Sequence, residues 1–155
     1  VVNAGIITCN YLYGNISNAT GGGVASDSDR NTSAGTNAGN EGTWSGAADN
    51  TSVGYDAGTA LTSGDKNTAV GSYALDATTT AVRNTAIGFE ALTANTTGTD
   101  NTAVGYTAGT AVTTGSNNTF VGDISGVAVT TGASNTAIGA DSFKTATNGA
   151  CYAPS

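Results

Sequence analysis

The sequence contains no histidine and no methionine, and only one proline and two cysteines in 155 residues. Aromatic residues make up 6% of it and charged residues 10%. Each shortage removes a class of chemistry. Without imidazole there is no Ser-His-Asp or Cys-His nucleophile pair, no histidine proton shuttle, and no histidine ligand for zinc or haem. Four Lys and Arg stand against eleven Asp and Glu, for a net charge of −7. The basic footprint of a nucleic-acid binder is therefore missing. No run approaches the roughly 20 apolar residues of a membrane-spanning helix, so membrane insertion is not expected, and the first residues do not form a signal-peptide pattern. A start at Val1 rather than Met suggests a processed, mature chain.

Low hydrophobicity, here 38%, often means disorder, but disordered chains are usually rich in charge and proline. What is present instead is repetition. Asn-Thr-small-Val/Ile-Gly begins at Asn50, Asn67, Asn84, Asn101, Asn118 and Asn135, with successive first positions 17 residues apart. A looser copy, Asn31-Thr32-Ser33-Ala34-Gly35, precedes Asn50 by 19 residues and implies a two-residue insertion near Trp44. Position eight is always small (Ala57, Ala74, Ala91, Ala108, Ser125, Ser142), and position thirteen is always Thr, from Thr62 to Thr147. Position fifteen is Gly64, Gly98, Gly115, Gly132 and Gly149, with Ala81 the exception. Glycines at positions five and fifteen suggest two corners per period, the second in a φ > 0 turn.

A period this short, with two glycines and abundant Thr, Val and Asn, opposes helical repeats and specifies strand. The sequence predicts an all-β parallel β-solenoid, a β-roll of about seven coils spanning residues 31–149. Residues 1–30 form an N-terminal strand or arm with a Gly-rich hinge, and residues 150–155 a C-terminal tail. Strand alternation puts Thr and Val/Ile on one face and Asn and Ala on the other. Val53, Val70, Ile87, Val104, Val121 and Ile138 form the only consistently large apolar column, so their face is predicted to be the interior, with Leu61, Leu75, Leu92, Val112, Val129 and Phe143 adding to the core. Asn50, Asn67, Asn84, Asn101, Asn118 and Asn135 are expected near a corner, hydrogen-bonded coil to coil as a ladder.

The repeat resembles the Ser-Val-Ala-Ile-Gly units in the heads of trimeric autotransporter adhesins, left-handed parallel β-rolls on bacterial surfaces. It is also similar to Asn-Thr-Ala-Ile-Gly units of phage tail fibres and other surface-appendage proteins. The likeness covers about residues 31–149, although the coil here is longer than in adhesin heads. It implies an extracellular, self-associating β-solenoid.

Several groups lie outside the repeat logic. The apolar start, Val1, Val2, Ile6 and Ile7, reads either as a capping strand or as an arm that adds to a neighbouring subunit, released by a hinge at Gly21–Gly23 and Ser26–Asp29. Trp44 reads as a cap or an interface anchor. Cys9 and Cys151 bracket the array and suggest a disulfide, within the chain or between copies. Asp27 with Asp29, or Asp49 near Asp65, offer oxygens for a hard cation but match no calcium motif, and solvated turn carboxylates explain them more simply. Scattered acids give no carboxylate pair for glycan hydrolysis. Tyr55, Phe89 and Tyr106 at position six form an aromatic row, suited to sugars or to plain corner packing. The Thr column at position thirteen raises ice binding. Asn-x-Ser/Thr sequons begin at Asn15, Asn18, Asn31, Asn50, Asn95 and Asn117, so glycan decoration is possible.

The expected function is structural: an extracellular protomer that assembles with itself, end to end, into a filament or surface appendage, without cofactor, metal or catalytic group. The alternative is a receptor- or glycan-binding head of a trimeric adhesin or tail fibre.

Overall fold

The computed structural model describes residues 24–26, 29–39 and 46–145. The chain winds as a parallel β-solenoid of about six turns with about 17 residues per turn. Its strands are β1 (Val24–Ser26), β2 (Thr32–Ala34), β3 (Thr51–Val53), β4 (Thr68–Val70), β5 (Thr85–Ile87), β6 (Thr102–Val104), β7 (Thr119–Val121) and β8 (Thr136–Ile138). They form one sheet in chain order. From β2 onward all pairs are parallel and in the register of the repeat: Thr68 beside Thr85, Ala69 beside Ala86, Val70 beside Ile87. The longer first step leaves this register intact, because Thr32 still pairs with Thr51. β1 lies antiparallel on β2, so Ser26, assigned from sequence to a hinge, ends a strand instead.

The strands are three residues long because the position-five glycine ends each one. Its φ runs from 121° at Gly139 to 143° at Gly105, a conformation essentially restricted to glycine. Three further left-handed positions turn each coil, as at Glu90 (φ 53°), Leu92 (φ 51°) and Asp100 (φ 59°). Position fifteen corrects its sequence reading: Gly64, Gly98 and Gly115 do not have positive φ. Glycine is favoured there by close approach, since a Cβ on Gly98 would lie 2.2 Å from the Gly115 carbonyl oxygen.

Backbone hydrogen bonds between coils continue well beyond the short strands. The coil that starts at Asn84 is tied to its neighbours by Thr85 N–H to Asn101 O (2.8 Å), Glu90 N–H to Ser72 O (2.9 Å), Leu92 N–H to Ala108 O (3.0 Å) and Thr96 N–H to Thr113 O (2.9 Å). The corners are therefore satisfied by stacking together with local turns such as Asn95 N–H to Leu92 O (3.0 Å).

The core assignment is reversed. Val53, Ile87 and Ile138 are 37%, 40% and 62% exposed, and Val70, Val104 and Val121 are half-buried on the same outer face. Ala69, Ala86, Ala103, Phe120 and Ala137 point inward in their place, as do the ladder asparagines. The parity read from sequence is the observed one, but the interior face is the other. The reason is volume. The interior is filled by Leu61, Leu75, Leu92, Val112 and Val129, with Ala57, Ala74, Ala91 and Ala108. These leave room for a methyl group, and not for an isopropyl, on the strand side.

Phe120 is the exception that shows the rule. Both flanking position-nine residues are glycine where other coils carry Leu75 and Leu92. A Cβ on Gly126 would lie 2.2 Å from Phe120 Cδ1, and one on Gly109 would lie 2.9 Å from Cδ2. The ring thus fills space that a side chain at Gly109 or Gly126 would enter. Phe120→Ala is expected to cost about 3–4 kcal/mol in chemical denaturation. Adding Gly126→Leu should recover part of that loss, whereas Gly126→Leu alone should destabilise.

Candidate functional site

Three features of the stack have chemical potential: the asparagine ladder, the outer sheet face, and the end of the stack at β8. The ladder is interior rather than at an exposed corner. Each Asn Oδ1 accepts the backbone N–H of the Asn one coil on, at 2.8 Å for Asn50 to Asn31 and Asn67 to Asn50, and at 3.0 Å from Asn84 through Asn135. From Asn31 to Asn118 the amide N–H also closes its own coil, as from Asn50 Nδ2 to Gly64 O (2.8 Å) and from Asn101 Nδ2 to Gly115 O (2.8 Å). Among the described residues, Asn135 Oδ1 is the buried side-chain polar atom left without a partner, on a residue 1% exposed.

The outer face carries the Thr and Val/Ile columns and, beside them, a row of rings. Tyr55, Tyr73, Phe89 and Tyr106 come from four successive coils. Their centroids are 5.5, 6.1 and 5.4 Å apart, with edge contacts at Tyr73 and a stacked pair at Phe89 and Tyr106. Sequence reasoning missed Tyr73 because it occupies position seven; its left-handed backbone (φ 61°) accompanies a ring that falls between Tyr55 and Phe89. The signal was available as an aromatic one residue off the column. The charge on Asp56, then Tyr73, push the Tyr55 phenol up.

Charges line another corner, at position seventeen. Arg30 holds Asp49 (Nε to Oδ1, 2.6 Å) and Arg83 holds Asp100 (Nε to Oδ1, 2.5 Å), each from one coil to the next. The hydrogen bond from each arginine keeps the Asp49 and Asp100 carboxyls below their usual range. A depressed carboxyl adds stability above the ordinary carboxylate pKa, and that stability is lost as pH falls through the folded value. Asp76 works in the opposite sense, because burial and then Asp56 push it up. Arg83→Gln is therefore expected to flatten the acid limb of stability. Its melting temperature should fall less than that of the unmodified chain between about pH 5 and pH 2 at low salt, with the difference shrinking as salt screens the exposed pair.

The remaining sequence candidates are dispersed. Asp49 is engaged with Arg30, while Asp65 Oδ1 accepts the Ala48 N–H (2.9 Å), so the two do not converge on a cation site. No group of three or more acidic or cysteine side chains is gathered among the described residues. The Thr62, Thr96 and Thr113 hydroxyls donate to the next coil's Thr carbonyl at 3.1, 3.1 and 3.2 Å, so that column is bound into the stack instead of presenting free donors. Of the sequons, Asn31, Asn50 and Asn95 are interior, at 0%, 1% and 0% exposure, while Asn117 is exposed. Val1, Val2, Ile6, Ile7, Cys9, Asn15, Asn18, Asp27, Trp44 and Cys151 lie outside the described residues.

No helix among the described residues is long and apolar enough to cross a membrane. In comparisons with known proteins, no family model, no curated protein and no solved structure matches the chain.

Proposed function

We propose that the chain is an extracellular structural protein, a protomer that assembles with copies of itself into a filament or surface appendage. The observation that supports this reading is the state of the sheet at β8. A Cβ on Gly35, Gly54, Gly71, Gly88, Gly105 or Gly122 would strike the backbone of the following coil, whereas one on Gly139 would meet nothing within 4 Å among the described residues. Ile138 is 62% exposed. A stack of in-register coils has no internal device that fixes its length, and an uncovered edge strand is a template for another chain. The scarcity of catalytic side chains fits a structural role. Secretion, a Cys9–Cys151 link between copies, and glycan on exposed Asn117 or on surface threonines belong to the same proposal.

Electron microscopy of the purified chain tests it. Rods much longer than the roughly 29 Å of six turns at about 4.8 Å each support the reading; a monodisperse monomer at all concentrations overturns it. Non-reducing gels of the assembled material test the disulfide.

A second reading, a receptor- or glycan-binding head that forms a trimer of finite size, is favoured by the exposed Val/Ile column and the row Tyr55–Tyr73–Phe89–Tyr106. Discrete trimers in light scattering, with glycan binding lost in Tyr106→Ala, would favour it over the filament.

A further inference from the structure

We infer that the end of the solenoid at β8 is completed by the N-terminal end of a second copy, whose β1 lies along the free edge of β8 and continues the sheet from one chain into the next. This rests on the filament reading and names the surfaces that would join.

Two independent observations converge on β8. The first is the orphaned acceptor. Asn31, Asn50, Asn67, Asn84, Asn101 and Asn118 each pass an Oδ1 to the backbone N–H of the coil above. Asn135 Oδ1 is equally withdrawn from water and has no donor among the described residues. A buried amide oxygen without a donor costs about 1–3 kcal/mol, and an incoming strand that offers an N–H there removes the cost. The second is the edge itself. In the preceding coil Thr119 N–H donates to Asn135 O at 2.8 Å; by the same alternation the Thr136 N–H points away from β7, and a Cβ on Gly139 would meet nothing within 4 Å among the described residues.

The sequence directs the choice of partner. One period beyond Asn135 the pattern Asn-Thr-Ala is replaced by Tyr152-Ala153-Pro154, and proline at the third position removes a ladder donor. The change at the first position still leaves a backbone N–H, so it is the donor at the third position that the chain's own sequence forgoes. At the other end of the sheet, β1 is the edge strand among the described residues, with β2 on one side only. Because β1 is antiparallel to β2, a head-to-tail copy presents it to β8 as an antiparallel strand, and both edges are removed at once. Net charge of −7 per copy opposes side-by-side bundling, while joining at the ends keeps most of that charge apart.

The experiment uses the full chain with Thr136→Pro, which deletes the outward donor of an edge strand and leaves the pairing with β7 intact, a place where proline is tolerated. Gly139→Ala, which sets a methyl on the same open side, serves as the second variant should the first fail to fold. Circular dichroism and melting are read alongside rod length in micrographs. The expected result is a folded variant whose rods are shortened severalfold, and which, mixed at one part in ten with the unmodified chain, caps its rods and shortens them too. Rods of unchanged length from both folded variants would overturn the inference while leaving the filament reading standing. Absence of rods from the unmodified chain would overturn the filament reading itself.

Discussion

Gly105→Ala is expected to uncouple the stack, at a cost of about 4 kcal/mol or more. Two effects combine. The residue has φ of 143°, which an alanine adopts only under strain. Its added Cβ would also lie 2.2 Å from the Gly122 carbonyl oxygen and 2.6 Å from the carbonyl carbon. Backbone is fixed on both sides by inter-coil bonds such as Gly105 N–H to Ile87 O (2.8 Å) and Gly122 N–H to Val104 O (2.8 Å), so the overlap cannot be relieved by rotating a side chain. In a solenoid, stability is a sum over neighbouring coils, and a break at one interface should split the cooperative unit. Calorimetry is expected to show two transitions in place of one. Gly139→Ala is the internal control. It has a similar φ of 121° with open space beyond, so it should show the conformational cost alone, about 1–3 kcal/mol. Equal losses at the two positions would show that close stacking contributes nothing.

Asn101→Ala is expected to cost about 3–6 kcal/mol, through the groups it orphans rather than through lost volume. The variant strips the Gly115 carbonyl of its donor (2.8 Å). It also leaves the Asn118 backbone N–H without its acceptor (3.0 Å) and removes one of two acceptors of the Asn118 amide (2.9 Å). All three groups sit where water does not reach, and Asn101 and Asn118 are both 0% exposed. Asn101→Asp should be worse than its similar shape suggests at neutral pH, because a buried carboxylate would face a backbone carbonyl in place of a donor–acceptor pair, and the penalty should ease in acid as the carboxyl is protonated. Asn135→Ala, whose Oδ1 serves no described donor, should be near neutral in the unassembled chain, because losing its amide bond to Asn118 Oδ1 (2.9 Å), about 1 kcal/mol, is offset by removing the orphaned acceptor. Urea denaturation of the three variants checks the order, and hydrogen exchange at the Asn118 amide reports the orphaned donor directly.

Both effects explain why the repeat reads so plainly. Parallel in-register stacking brings each residue against its own counterpart, so any column with a steric or hydrogen-bonding demand shows that demand as an identity repeated every 17 residues. Position five requires glycine at each coil, and the first position an amide that donates and accepts at once. These columns make the coil length, the strand location and the parallel register legible in the sequence itself. The aromatic row was partly legible as column entries, but Tyr73, one position off its column, and the arginine–aspartate pairs between coils were not.

The sequence by itself determined the period, the strands and the two residue sets that alternate across each strand, because these depend on local geometry and on like stacking against like. Only the tertiary structure decided which set faces inward. That choice is a matter of the space left by the opposite wall, where Leu75, Leu92 and Val112 already fill the core, so the strand contributes alanine and asparagine within and sends Val53, Ile87 and Ile138 outward. It also decided that the ladder ends on an acceptor with no donor at Asn135, since a terminus of stacking is a property of the pile and not of any one repeat.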